Sequence, residues 1–219
     1  MANRPVYEVS LDESLFKCHN VDFVYFSGFS ESQQRKSINS LHSAFLQMKD
    51  KSKILEISSK SEKDIGKRLS AFNLSFVTKK GINITVESAF QASKVFENGG
   101  PYRDLLLVSS KNAKKDLRLK SSGHIISFKF DKRVFPIEPK TFFYNWLYIN
   151  ILNLHSDLSK QILEYDAFTD ISFNPKKSVN CQAEAAAIYV SLYKQNLLKE
   201  ALINEKAFLE IVYRNRTRR

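Results

Sequence analysis

Two rhythms of apolar spacing alternate along this chain. Val6-Tyr-Glu-Val and Phe23-Val-Tyr-Phe read as short strands, followed by a turn at Ser27-Gly28. A helix is predicted from about Glu31 to Met48, with Ser30 as its cap. Its buried stripe is Ile38, Leu41, Phe45 and Met48, with Gln33, Arg35 and Lys36 outside and His42 at the edge of the core. Ile54-Leu-Glu-Ile reads as a strand ending in Ser58-Ser-Lys60-Ser61, and Leu69 to Val77 is again strand-like. Lys79-Lys-Gly81 turns the chain into a hairpin partner, Ile82 to Val86.

A helix is then expected over Val86 to Phe96, stopped by Asn98-Gly-Gly-Pro101. Val86, Ala89, Phe90, Ser93 and Phe96 keep the three/four spacing of a buried stripe, and Glu87, Gln91 and Lys94 stand at i, i+4 and i+7 on one flank. An acid, an amide and an amine along one flank would suit a cleft, but spacing alone favours a solvated face with a loose ion pair. Beyond it, Tyr102 to Val108 is a short helical segment and Ser109 to Lys120 a helix with a basic face. Ile125 to Phe130 alternates as a strand, Pro136 and Pro139 bracket a linker, and Lys140 to Leu152 is apolar nearly all round, a central buried helix with Trp146 in the core. Asp157 to Leu163 is amphipathic. Glu164 to Val179 reads as one long connection, after which Asn180 caps a helix with a small face of Ala183, Ala186 and Ala187. Cys181 in its first turn is read as a buried inert thiol. A last helix runs from about Leu197 to Tyr213, followed by a basic tail, 214–219, expected to be disordered. The fold class predicted is α+β, mostly helical with a small sheet and a hairpin, in a single domain over 1–213.

Composition narrows the function classes. At 219 residues the chain can bury a sizeable core, and no apolar run reaches a membrane span. The two cysteines have no metal-ligand spacing to each other or to the four histidines, so no zinc site, no metal and no cofactor are expected, and a reducing cytoplasm is. No Gly-rich phosphate loop, dinucleotide fingerprint or serine-hydrolase elbow occurs. The net charge of +11 favours a polyanionic partner, nucleic acid first.

The order of motifs adds a resemblance. Ser70-Ala-Phe-Asn73 precedes the hairpin, then come Val86-Glu-Ser-Ala-Phe-Gln-Ala-Ser-Lys-Val-Phe96, the Ser-Lys-Asn-Ala-Lys-Lys segment, Asp166-Ala-Phe and Asn180. This resembles the NADAR superfamily, the YbiA-like group, over about residues 54–197, with 1–53 as an N-terminal extension. Leu55-Glu-Ile-Ser-Ser-Lys-Ser, Val95-Phe-Glu-Asn-Gly-Gly-Pro-Tyr, and Glu164-Tyr-Asp-Ala-Phe-Thr-Asp through Asn174-Pro-Lys-Lys-Ser-Val-Asn-Cys-Gln-Ala are more closely similar to NADAR antitoxins paired with DarT-type DNA ADP-ribosyltransferases. Ala71, Ser88 and Thr169 depart from the wider pattern, which has Asn, His and Trp there.

The resemblance implies a hydrolase that removes ADP-ribose from guanine bases in DNA and so reverses a DarT-type toxin. Its partners are then ADP-ribosylated DNA, single-stranded or with a flipped base, ADP-ribose as product, and the toxin as functional partner, with no membrane. Cleaving that N-glycosidic bond needs a proton donor and stabilisation of an oxocarbenium-like carbon. Glu87 is the candidate acid/base; Lys60, or its competitor Lys94, is the candidate Schiff-base amine or diphosphate holder. Ser70, Asn73, Gln91, Asp166 and Asn180 are candidates for substrate binding, and Lys111, Lys114, Lys115, Arg118, Lys176 and Lys177 for the DNA backbone. An N-glycosidase acting on riboflavin-pathway intermediates, a non-catalytic ADP-ribose reader and an antitoxin that blocks its toxin by binding it remain open alternatives.

Overall fold

The computed structural model describes residues 1–28, 30–176 and 178–214. The architecture is α+β, in two compact units: Met1–Ser70 joined by the chain from His155 onward, and Ala71–Leu154. Lys177 and the tail beyond Arg214 lie outside the described residues.

The first unit opens with a hairpin of β1 (Ala2–Val9) and β2 (Phe16–Phe23), paired antiparallel along their whole length. The second strand thus ends at Phe23, where the apolar pattern had suggested a start. The helix α1 (Glu31–Met48) is capped as expected, Ser30 Oγ accepting from the Gln33 N–H at 3.4 Å. Its buried residues are Ser37, Ile38, Leu41 and Phe45, whereas Met48 is exposed. Ser37 replaces Met48 because its hydroxyl accepts from the Phe26 N–H at 2.9 Å and anchors the segment after β2. A three-residue strand, β3 (Ile54–Glu56), and a short helix, α2 (Asp64–Arg68), follow. Gly66 in α2 packs so closely on β3 that a Cβ there would lie 2.2 Å from the Glu56 carbonyl oxygen. The strand expected from Leu69 is therefore delayed: α2 and a turn occupy 64–73.

In the second unit β4 (Ser75–Val77) and β5 (Asn83–Thr85) form the expected hairpin. It feeds directly into α3 (Val86–Ala92), whose seven residues are all buried. The helix stops at Ala92. Ser93 folds its hydroxyl back on the Ala89 carbonyl at 2.7 Å, and Lys94 enters β6 (Lys94–Phe96). Two short helices, α4 (Ser110–Lys115) and α5 (Arg118–Ser121), stand where one basic helix was expected. The break is at Asp116, whose Oδ1 accepts from the Arg118 N–H at 2.9 Å, a local turn competing with helix. Strands β7 (Ile125–Phe130) and β8 (Arg133–Phe135) complete a sheet ordered β6-β7-β8. Against it lies α6 (Phe142–Asn153), apolar and buried almost all round as its sequence predicts. Phe90, Phe128, Phe135, Phe143 and Trp146 build this core, with Phe128 and Phe143 stacked at 4.8 Å.

The chain then returns to the first unit through α7 (Ser156–Gln161) and β9 (Ala167–Thr169). The latter lies inside the stretch read as one long connection. It pairs antiparallel with β1 and parallel with β3, giving the sheet order β2-β1-β9-β3. The first 53 residues thus supply two of that sheet's four strands. The alanine-rich α8 (Gln182–Lys194) packs on β1 and β9, and its small side chains allow that approach. The last helix is two, α9 (Leu198–Ala201) and α10 (Glu205–Tyr213), the second capped by Asn204 Oδ1 at 2.9 Å from the Ala207 N–H. Among the described residues no helix is long and apolar enough to cross a membrane.

Candidate functional site

The second unit gathers four of the sequence-predicted residues. Thr85, the cap of α3, accepts from the Ser88 N–H at 3.2 Å, and the Glu87 N–H donates to the Ala71 carbonyl at 2.9 Å. Ala71 thus contributes its backbone, and no side chain is called on there. Ser88 donates to the Val108 carbonyl at 3.2 Å, a structural bond that fits a small hydroxyl. With its start pinned this way, α3 directs the Glu87 carboxyl into a nearly closed setting: the residue is 6% exposed. The Gln91 amide donates to Glu87 Oε1 at 2.8 Å, and the Lys114 ammonium stands 3.9 Å from the same oxygen. Because the Gln91 nitrogen faces the carboxylate, its oxygen faces away, and that buried oxygen has no hydrogen-bond partner.

Lys94 joins this cluster from β6, beyond the end of α3. Its ammonium lies 4.9 Å from the centre of the Phe90 ring, a cation–π contact that packs its stem on the core. Burial pushes this amine down to about 8, opposed by the Glu87 charge and reinforced by the Lys114 charge. The Lys114 ammonium sits 5.1 Å over the Phe72 ring, on an exposed side chain. Its neighbours Lys111 and Lys115 on α4 are exposed, whereas Arg118 is committed to Asp104 and Asp116 and stacks 4.5 Å over Tyr102. Asn73 is exposed in the turn before β4.

The other candidates belong to the first unit. Lys60 is half-buried in the turn after β3, its N–H donating to Ser58 Oγ at 3.1 Å; no described carboxylate pairs with its ammonium. Ser70 is buried at the end of the α2 turn. Asp166 lines a shallow hollow of about 340 Å³ with Glu8, Lys49 and Lys51, and its carboxylate pairs with Lys194 at 3.6 Å. Lys176 is exposed. Asn180 is not the helix cap; Cys181 occupies that position, and the Asn180 side-chain oxygen is buried without a partner. Burial pushes the Cys181 thiol well up, in keeping with the inert reading.

Sequence reasoning passed over a second buried carboxyl, Glu56 on β3. Its Oε2 accepts from Thr169 Oγ1 at 2.6 Å and its Oε1 from the Ile171 N–H at 2.9 Å. Thr169 Oγ1 also lies 2.8 Å from His42 Nε2. A hydroxyl has one proton; since it donates to Glu56, the imidazole must donate from Nε2. Burial raises the Glu56 carboxyl, outweighing the bonds from Ser58, Thr169 and Ile171, and burial also pushes His42 down to about 4, with the Lys63 charge adding to it. A polar residue at 169, where the wider pattern has Trp, is what this network requires. Gln182 completes it, donating to the Ile57 carbonyl at 2.6 Å and to Asp170 Oδ2 at 2.9 Å, so the acid tied to the start of α8 is Asp170. Glu56 could have been suspected from one signal: an acid inside an apolar strand.

Among the described residues no group of three or more His, Cys, Asp or Glu is placed to hold a metal ion. Compared with known proteins, the sequence matches over residues 2–219 the model of a family described as DarT1-associated NADAR antitoxin, a longer span than the motifs alone indicated. No curated protein matches it.

Proposed function

The chain belongs to the family of DarT1-associated NADAR antitoxins, and on that premise we propose that it is a hydrolase removing ADP-ribose from ADP-ribosylated guanine in DNA. The observation that supports this most is the meeting of a buried carboxyl, Glu87, with a desolvated amine, Lys94, whose protonation balance lies near neutrality.

The chemistry runs in three steps. The ring C–O bond at the anomeric carbon breaks, the ring oxygen leaving as a hydroxyl with a proton from Glu87, and the carbon becomes a protonated imine of the guanine exocyclic nitrogen, which keeps its own proton. The neutral Lys94 amine adds to that carbon, the bond to guanine breaks, and the base departs as its free amine, leaving a lysine Schiff base. Water adds to this imine, the lysine amine is released, and the ADP-ribose aldehyde recloses to its ring. Gln91 offers a buried acceptor oxygen suited to a ribose hydroxyl or a base N–H. Lys111 and Lys115 supply sequence-independent attraction for the DNA backbone. Lys94 takes the amine role here because it is desolvated and beside Glu87; Lys60 is the alternative the experiment addresses.

An oligonucleotide carrying ADP-ribosylated guanine is incubated with wild type, E87Q, K94A and K60A, with borohydride added to reduce any Schiff base. The expected result is release of ADP-ribose by wild type, loss in E87Q and K94A, and a reduced adduct mapped to Lys94. An adduct on Lys60 reassigns the amine; no release by wild type overturns the reading.

A further inference from the structure

The sequence offers Lys114 only as one of several cations for a DNA backbone, yet its position differs from theirs. Helix α4 is tied to α3 at both starts. The Ser110 hydroxyl bonds to Thr85 Oγ1 at 2.7 Å and donates to the Phe72 carbonyl at 3.1 Å, while Ala113 is fully buried. Thr85 is the cap of α3, so the link reaches the turn that carries Glu87. One helical turn beyond Ser110, Lys114 leans over the Phe72 ring with its ammonium 3.9 Å from Glu87 Oε1. Gln91 donates to that same oxygen at 2.8 Å. Among the described residues no protein group hydrogen-bonds Glu87 Oε2, so the carboxylate is divided into a held oxygen and one left for proton transfer.

We infer that Lys114 is a positioning residue of the site: it helps hold Oε1 of Glu87 and sets a second positive charge close to the Lys94 amine. This rests on the reading of Lys94 as the reacting amine. Charged groups reach Lys94 from two packed elements, Glu87 on α3 and Lys114 on α4. On the paired strand Lys94 faces Phe128, so Lys129 alternates to the other side of the sheet. The two charges oppose each other: Glu87 alone would keep Lys94 protonated, and a second ammonium cancels part of that pull. Burial of Lys94 is the largest influence and lowers its proton affinity; the two charges act on top of it. A lysine used as an imine-forming nucleophile beside a second cation is an established physical solution.

The test compares wild type, K114Q and K114R. Amine labelling of Lys94 is followed by mass spectrometry from about pH 6 to about pH 10, alongside the pH profile of ADP-ribose release. In K114Q the half-labelling pH of Lys94 rises by about one unit, the acid limb of the rate profile moves with it, and release near neutral pH falls about tenfold and recovers in alkali. K114R restores both. An unchanged labelling midpoint in K114Q, with a higher KM and a weaker salt dependence, overturns the inference and makes Lys114 a phosphate contact. A shifted midpoint in a wild-type background that releases no ADP-ribose leaves the charge effect standing and removes the proposed reaction.

Discussion

Glu56 and Glu87, two of the buried glutamates, sit in different settings in the two units. Glu56 is 3% exposed and Glu87 6%, so burial alone does not distinguish them. Their partners do. Both oxygens of Glu56 accept from neutral donors, the Thr169 hydroxyl and the Ile171 N–H, inside a sheet. Glu87 has one oxygen held by an amide, beside two ammonium groups, and one oxygen that no described protein group bonds. A fully bonded carboxyl holds structure together, whereas an incompletely bonded one leaves an oxygen for a bound molecule. On the proposed reading, the comparison gives stability to the first and chemistry to the second.

The sharpest way to break that assignment is to replace each acid and measure both properties. E87Q should lower ADP-ribose release by about 10²–10⁴-fold while leaving the urea midpoint nearly unchanged. E56A should do the reverse, costing about 2–4 kcal/mol in urea unfolding because the Ile171 N–H and the Thr169 hydroxyl lose their buried acceptor. Equal loss of activity and stability in both variants would end the distinction.

Next in size is a pH effect confined to the Glu56 network. His42 is pushed down to about 4, so the folded protein holds it neutral while the unfolded chain takes up a proton below about 6.5. More protons on the unfolded side means that its contribution is intact above that value and is lost as pH falls toward 4. Glu56 has the opposite sign: its raised carboxyl keeps a proton that the unfolded chain releases, so its contribution declines as pH climbs past the ordinary carboxyl range. The stability difference between wild type and H42Q should shrink by up to about 3 kcal/mol on acidification, read from urea midpoints across pH. A difference independent of pH would place His42 outside the network. The smallest effect is expected at the surface: replacing Lys111 and Lys115 together by Gln should leave single-turnover chemistry intact and lower the salt slope of DNA binding by about one to two.

The sequence made some of this visible and hid the rest for physical reasons. Long periodic segments were legible, because α1 and α6 must bury apolar faces whatever surrounds them. The Glu87–Gln91 pair was also legible, since i, i+4 spacing brings two side chains together on any helix. Lys94 was placed in the right neighbourhood for the wrong reason: it comes from a strand, whose pairing with β7 is a tertiary event that local spacing does not encode. The same holds for β9, three residues whose strand identity depends on partners more than a hundred positions away. Lys114 looked like any other lysine of a basic run, because the contacts that single it out, among them Glu87, Phe72 and the Ser110–Thr85 link, are tertiary. Asn180 was read as a cap from residue type, but the helix starts two residues later and leaves its oxygen buried.

The sheet of the first unit has a consequence for how the protein is made. Its central strand, β9, is synthesised after β1, β2 and β3 and after the whole of Ala71–Leu154. On the ribosome the earlier strands wait with open edges while the second unit, continuous in the chain, has everything it needs to collapse. A nascent chain cut before Ala167 carries the Glu87 cluster but not a closed sheet, and its unpaired strands are ready substrate for a protease. The sheet therefore closes only in a chain synthesised past Thr169, late in a protein of 219 residues.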